Sequence, residues 1–108
     1  MMPAQSADSV AVIFLSHRTA QDAAGYQAAA ERMEELAKIQ PGFIAMDSVR
    51  DSSGHGITVS YWADDASARA WRDHPEHGAI REAGRQRWYN SYDLHVARIE
   101  RSYEWSKG

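Results

Sequence analysis

WADDASARAWRDHPEH, residues 62–77, is where an apolar strand ending at Trp62 gives way to a helix carrying Trp71 and then meets His74, Pro75 and His77. Asp64 or Asp65 offers a side-chain oxygen to cap that helix, which continues through Ala66, Ala70 and Trp71. Proline has no N–H to donate and is excluded from a helix interior, but it suits a first turn. The helix therefore pauses near Asp73 and His74, and a second one starts at Pro75 and runs to about Trp88. Each Trp buries a large apolar face and keeps one N–H donor. A pair of them beside imidazoles makes a wall for a flat, partly polar ligand, although core packing uses the same residues in the same pattern.

Working back from Trp62, Ile57 to Ala63 reads as a strand, Ser52 to Gly56 as a hairpin loop with two glycines, and Phe43 to Arg50 as the strand before it. Gln40-Pro41-Gly42 stops a preceding helix capped by Asp22. Its inner stripe is Tyr26, Ala29 or Ala30, Met33, Leu36 and Ala37, with Glu31, Arg32, Glu34, Glu35 and Lys38 outside. Val10 to Arg18, rich in β-branched and aromatic residues, is the first strand. Downstream, Asn90 and Ser91 end the helical region, and Tyr92 to Trp105 reads as a long closing strand.

The order is β-α-β-β-α-β, an α+β ferredoxin-like sandwich with an antiparallel sheet. Helices cover one face of such a sheet. Yet Val10, Val12 and Phe14 alternate with Ala11, Ile13 and Leu15, so both faces carry apolar side chains. An open apolar sheet face is an association surface, and two sheets packed face to face give a homodimer in which each protomer keeps a cavity between its own sheet and helices.

A chain of 108 residues with 44% apolar and 25% charged residues reads as one folded domain, its core at about residues 10–105. Twelve Lys and Arg are interspersed with fifteen acids for a net charge of −3, which argues against nucleic acid as a partner. Arg81, Arg85 and Arg87 form the one basic cluster, read first as a solvated helix face and second as an anion site. The absence of cysteine removes disulfides and thiolate chemistry. MMPAQSADS lacks the basic-then-apolar pattern of a leader and no stretch reaches membrane-spanning length, so a soluble cytoplasmic protein is expected, with no membrane partner.

Pro41-Gly42-Phe43 before strand two, Tyr61-Trp62 at the end of strand three, the helical Trp71, and Trp88-Tyr89-x-x-Tyr92 before the closing strand, taken in this order, resemble the antibiotic biosynthesis monooxygenase (ABM) domain family. The resemblance covers roughly Val10 to Trp105. It implies a dimeric α/β barrel with a pocket between sheet and helices in each protomer. Members include cofactor-independent oxygenases of polycyclic aromatic substrates, haem-degrading monooxygenases and proteins of unknown activity. The oxygenases use a polar residue on the first strand, usually Asn, with a helical Trp and a His or Arg further along. Here Trp71 matches the Trp, the first-strand position falls near Ser16 or His17 with no Asn present, and Arg81 lies further along. At the place of a haem-ligating His this chain has Ile80 and Arg81.

The resemblance thus implies a catalytic set of His17, Trp71 and Arg81 and a substrate pocket lined by Trp62, His74, Trp88 and Tyr92. His17 would take a proton from an aromatic substrate, whose carbanion would react with dioxygen. Trp71 and Arg81 would line or polarise the site. No cofactor is expected, haem being the lesser option, and no metal, because Pro75 breaks the register that would align His74 with His77 on one ion. His55 reads as an exposed turn residue and His95 as a strand-packing one. No phosphate-cradling loop or nucleophile elbow occurs. The rival readings are a non-catalytic dimer that binds a small ligand, or a stress-related protein, and, behind these, haem degradation.

Overall fold

The computed structural model describes residues 8–108; residues 1–7, part of the segment read above for a leader, lie outside the described residues. Four strands, β1 (Val10–Arg18), β2 (Phe43–Arg50), β3 (His55–Trp62) and β4 (Tyr89–Arg98), form one antiparallel sheet in the order β2-β3-β1-β4. Three helices, α1 (Ala23–Lys38), α2 (Asp65–Arg72) and α3 (Pro75–Ala83), complete the ferredoxin-like βαββαβ order. None of the described helices is long and apolar enough to cross a membrane.

The capping expectations hold. Asp22 accepts from the Gly25 N–H at the start of α1, and Asp64 accepts from the Ser67 N–H at the start of α2. Pro75 opens α3 with His74 as its N-cap, the His74 ring nitrogen accepting from the Glu76 N–H. Three expectations need correction. The second helical segment does not run straight to Trp88: α3 ends at Ala83 and widens into a π-helical turn, Gly84–Trp88. The closing strand begins at Tyr89 and ends at Arg98, which meets Val10 of β1; the Ile99 N–H still donates to the Ser9 carbonyl at 2.9 Å, but Ile99 to Trp105 is not strand. His55 lies in β3, not in the turn, paired with His17.

Register divides the sheet into two faces. Val10, Val12, Phe14 and Ser16 of β1 pair with Trp62, Ser60, Thr58 and Gly56 of β3 and point toward the helices. Ala11, Ile13, Leu15 and His17 point to the open face. The closed end of the helix-covered face is a core of Val10, Leu36, Ala37, Trp62, Ala68 and Trp71, with Val12, Met33, Phe43 and Met46 packed against it. Trp62 is wholly buried, its ring edge-on to Phe43 at 5.5 Å and its indole N–H donating to Ser60 Oγ at 2.9 Å. Arg32 on α1 donates through Nε and Nη2 to the Glu76 carboxylate, which fastens α1 to α3.

Candidate functional site

At the opposite end of the same face the packing is looser and more polar. Phe14, Tyr26, Tyr89 and Tyr92 are half-buried there, between sheet and helices. Their rings meet edge to face or tilted: Phe14 lies 5.4 Å from Tyr89 and 5.2 Å from Tyr92, and Tyr26 lies 6.0 Å from both Tyr89 and Trp88. This is the geometry favoured by ring quadrupoles.

The π-helical turn sets this wall. Widening by one residue per turn is a device often found at functional sites, and here it delivers Trp88 and Tyr89 into the space beside Tyr26. Gly84 makes the turn fit, since a Cβ at that position would sit 2.8 Å from the Tyr89 ring. The turn is pinned by Trp88, whose Nε1–H donates to Asp22 Oδ2 at 3.1 Å, and by Thr19, whose hydroxyl donates to the Arg87 carbonyl at 2.8 Å. The Trp88 and Gly25 N–H donors hold the Asp22 carboxyl below its ordinary range, assisted by the charges of Arg87 and Arg18.

Polar groups enter from the strands. Arg50, at the end of β2, folds over Gly56, donates from Nη2 to Ser16 Oγ at 2.7 Å and to the Tyr26 hydroxyl at 3.2 Å, and donates from Nη1 to the Gly54 carbonyl. Gly56 permits this, because a Cβ there would lie 2.5 Å from the guanidinium carbon. Arg18 stacks on the Tyr26 ring, 3.8 Å from its centroid. Burial pushes the Tyr89 phenol well above its ordinary pKa, with the neighbouring Tyr26 hydroxyl acting in the same direction against the charges of Arg50 and Arg18. Tyr89 is therefore a neutral hydrogen-bond donor at physiological pH.

The structure does not bring His17, Trp71 and Arg81 together. His17 lies on the open face, stacked on His55 at 4.3 Å with the rings 8° from parallel, and its Nε2–H donates to the Ser53 carbonyl at 3.3 Å. The first-strand residue that faces the helices at this end is Ser16. Trp71 belongs to the closed end, stacked between Trp62 at 6.1 Å and His77 at 4.4 Å. Arg81 is exposed on α3, where Nη1 donates to the Arg72 carbonyl at the end of α2. The candidate lining divides too: Trp62 and His74 stand with Trp71, whereas Trp88 and Tyr92 stand with Tyr26 and Tyr89. Arg85 and Arg87 are each engaged, by Tyr92 and Glu82 and by Asp22 respectively.

His77, which the sequence left aside in favour of His74, is held more closely. Its Nδ1–H donates to the Trp71 carbonyl at 3.0 Å, and burial lowers its pKa. Among the described residues no group of three His, Asp or Glu side chains is placed to hold a metal ion. His77 stacks on one face of the Trp71 ring and His74 caps α3.

A depression of about 610 Å³ at the strand ends is lined by Leu15, His17, Val49 and Ile57 of the open face and also by Ser16 and Arg50. Val49 and Ile57 are exposed there. Tyr26, Arg50 and Tyr89 were missed as site residues because sequence shows a helix stripe, a strand end and a turn, with nothing to say that three elements converge.

The fold and this aromatic interior define a class, and the comparisons agree. The family model of the antibiotic biosynthesis monooxygenases matches residues 9–83, and the chain belongs to that family. YqjZ of Bacillus subtilis (strain 168), an uncharacterized protein, is 50% identical over 91 residues, covering 84% of this chain and 79% of that protein. Among solved structures, SnoaB, a cofactor-independent oxygenase from Streptomyces nogalater, superposes with a TM-score of 0.69 at 20% identity, covering 86% of this chain and 96% of SnoaB. Rv0793 from Mycobacterium tuberculosis gives 0.74 at 14% identity, covering 84% and 94%. At these identities the structural likeness concerns the fold.

Proposed function

We propose that the protein is a monooxygenase-like oxidoreductase that oxidises a small or polycyclic aromatic substrate between sheet and helices without a cofactor, working in the cytoplasm as a homodimer joined through its open sheet faces. The observation that carries this reading is the half-open wall of Phe14, Tyr26, Tyr89 and Tyr92, with a protonated phenol among the rings. A substrate with an acidic CH₂ beside an enolisable oxygen gives up a proton to solvent, its carbanion adds dioxygen, and the peroxide anion takes a proton back. The resulting hydroperoxide loses water to leave a carbonyl, so CH₂ and O₂ become C=O and H₂O. Tyr89 donates to the oxygen on which the enolate charge develops, the kind of donor whose removal costs about 100-fold. In this reading Ser16, not His17, is the first-strand polar group that meets substrate, and Trp71 belongs to the core at the other end of the face.

The test is dioxygen uptake with anthrone- and hydroquinone-type aromatics, together with sedimentation of the purified chain. Uptake that falls about 100-fold in Tyr89→Phe while the circular dichroism is unchanged supports the reading. Uptake identical in wild type and variant, or none with any substrate, overturns it; ligand binding with no uptake leaves the non-catalytic dimer. A monomer in sedimentation removes the sheet-to-sheet assembly, and a Soret shift on adding haemin would favour the haem branch instead.

A further inference from the structure

Two guanidiniums share one ring. Arg18 lies 3.8 Å and Arg50 5.5 Å from the centroid of Tyr26, and both side chains are half-buried between sheet and helices. The other interior neighbours are Ser16, Tyr89 and the Gly54 carbonyl, all uncharged. Arg32, Arg69, Arg72, Arg85 and Arg87 each meet a carboxylate, whereas neither Arg18 nor Arg50 forms an ion pair among the described residues. Asp22 is close enough to feel Arg18, but its oxygens are engaged by Trp88, Gly25 and Arg87. Arg18 Nη2 donates to the Gln21 carbonyl at 3.2 Å, while its Nε is buried with no hydrogen-bond partner.

An unsatisfied buried donor on a cation is costly, and two cations drawn together without an anion are costlier still. Proteins tolerate such an arrangement where something else supplies the charge. Guanidinium donors fit a planar oxyanion, and the aromatic rings beside them fit the flat body that carries it.

We propose that Arg18 and Arg50 form an anion-binding pair, and that its ligand is an aromatic molecule carrying a planar oxyanion: a carboxylate, an enolate or a phenolate, entering from the depression that Arg50 and Ser16 line. The proposal takes from the preceding section only that an aromatic molecule enters between sheet and helices. The Arg18 guanidinium presents charge to one side of the oxyanion, and Arg50, braced by Ser16 and Gly54, presents charge from the other. The aromatic body lies against Phe14, Tyr89 and Tyr92. Tyr26 is the platform that holds both cations.

Calorimetric titration of the wild-type chain with 2-naphthoate and with its neutral counterpart 2-naphthamide tests the charge requirement without any substitution. Naphthoate is expected to bind about tenfold more tightly, the advantage shrinking as salt is raised. Arg50→Gln and Arg18→Gln are each expected to weaken naphthoate about tenfold and to leave naphthamide within about twofold, with circular dichroism confirming the fold. Equal affinity for the two ligands, no binding of naphthoate, or naphthoate affinity untouched by both substitutions overturns the proposal. Dioxygen uptake separates the two claims. Arginine-dependent naphthoate binding in a protein that consumes no dioxygen with any substrate sinks the oxygenase reading alone. Oxidation of an anthrone-type substrate that is undiminished in both Arg18→Gln and Arg50→Gln sinks the anion pair alone.

Discussion

The helix-covered face of the sheet has two ends made of similar residue types, and they do opposite things. At the Trp62 end, two indoles, an imidazole and Phe43 stack with no charged side chain among them, and Trp62 and Ala37 are completely shielded. At the Tyr26 end, four aromatic rings stand half-buried around two guanidiniums that have no carboxylate. Aromatic density therefore does not distinguish core from site. What distinguishes them is whether polar groups inside are satisfied: Trp62 Nε1 has Ser60 Oγ, while Arg18 Nε has nothing.

The sharpest way to break this contrast is to truncate one residue at each end. Trp62→Ala empties a fully buried site and strands the Ser60 hydroxyl, and is expected to lower unfolding free energy by about 3–5 kcal/mol in urea denaturation. A loss under about 1 kcal/mol would mean that the Trp62 end is not the core. Gly56→Ala probes the other end. Its new Cβ would lie 2.5 Å from the guanidinium carbon of Arg50 and displace that group from its hydrogen bonds, so the expected stability loss is about 1–3 kcal/mol, smaller than for Trp62→Ala. Displacing Arg50 from Ser16 and Tyr26 should nevertheless weaken 2-naphthoate relative to 2-naphthamide. A variant as selective as wild type would show that the position of Arg50 over Gly56 is irrelevant to binding.

The same contrast explains what was legible from sequence. Strand alternation in β1, the α1 stripe from Tyr26 to Ala37, the Asp22 and Asp64 caps and the Pro75 break all follow from local rules, and all are present in the fold. The Trp62–Trp71 stretch marked family and fold well because core aromatics are set by periodicity. For the same reason it could not by itself separate core from pocket wall. His17 was attractive as a strand-end imidazole, but the two-residue alternation that makes β1 legible also sends His17 to the face opposite Ser16 and Arg18. The π-helical turn had no visible signal, since Gly84 looks like any helix glycine until Tyr89 is seen packed against it. Convergence of Arg18, Arg50 and Tyr26 depends on register between β1, β2 and β3, which no single segment encodes.

The closed end also carries a pH signature of its own, set by a buried imidazole. Burial against Trp71 disfavours the His77 imidazolium and lowers its pKa, with Arg81 and His74 adding repulsion and the hydrogen bond to the Trp71 carbonyl acting in the opposite direction. In the unfolded chain the ring titrates near its ordinary 6.5. Above that value both states are neutral at this position and its contribution to stability is fully present. As the pH falls below it, the unfolded chain takes up a proton that the folded chain resists, so stability declines until the lowered folded value is passed. Urea midpoints measured on both sides of that window should show wild type losing stability toward acid. His77→Phe keeps a ring on Trp71 but removes the proton site, and is expected to flatten that part of the profile while losing some stability at neutral pH through the unpaired carbonyl. A pH slope unchanged in His77→Phe would mean that the imidazole is solvated and that the Trp62 end is as open as the Tyr26 end.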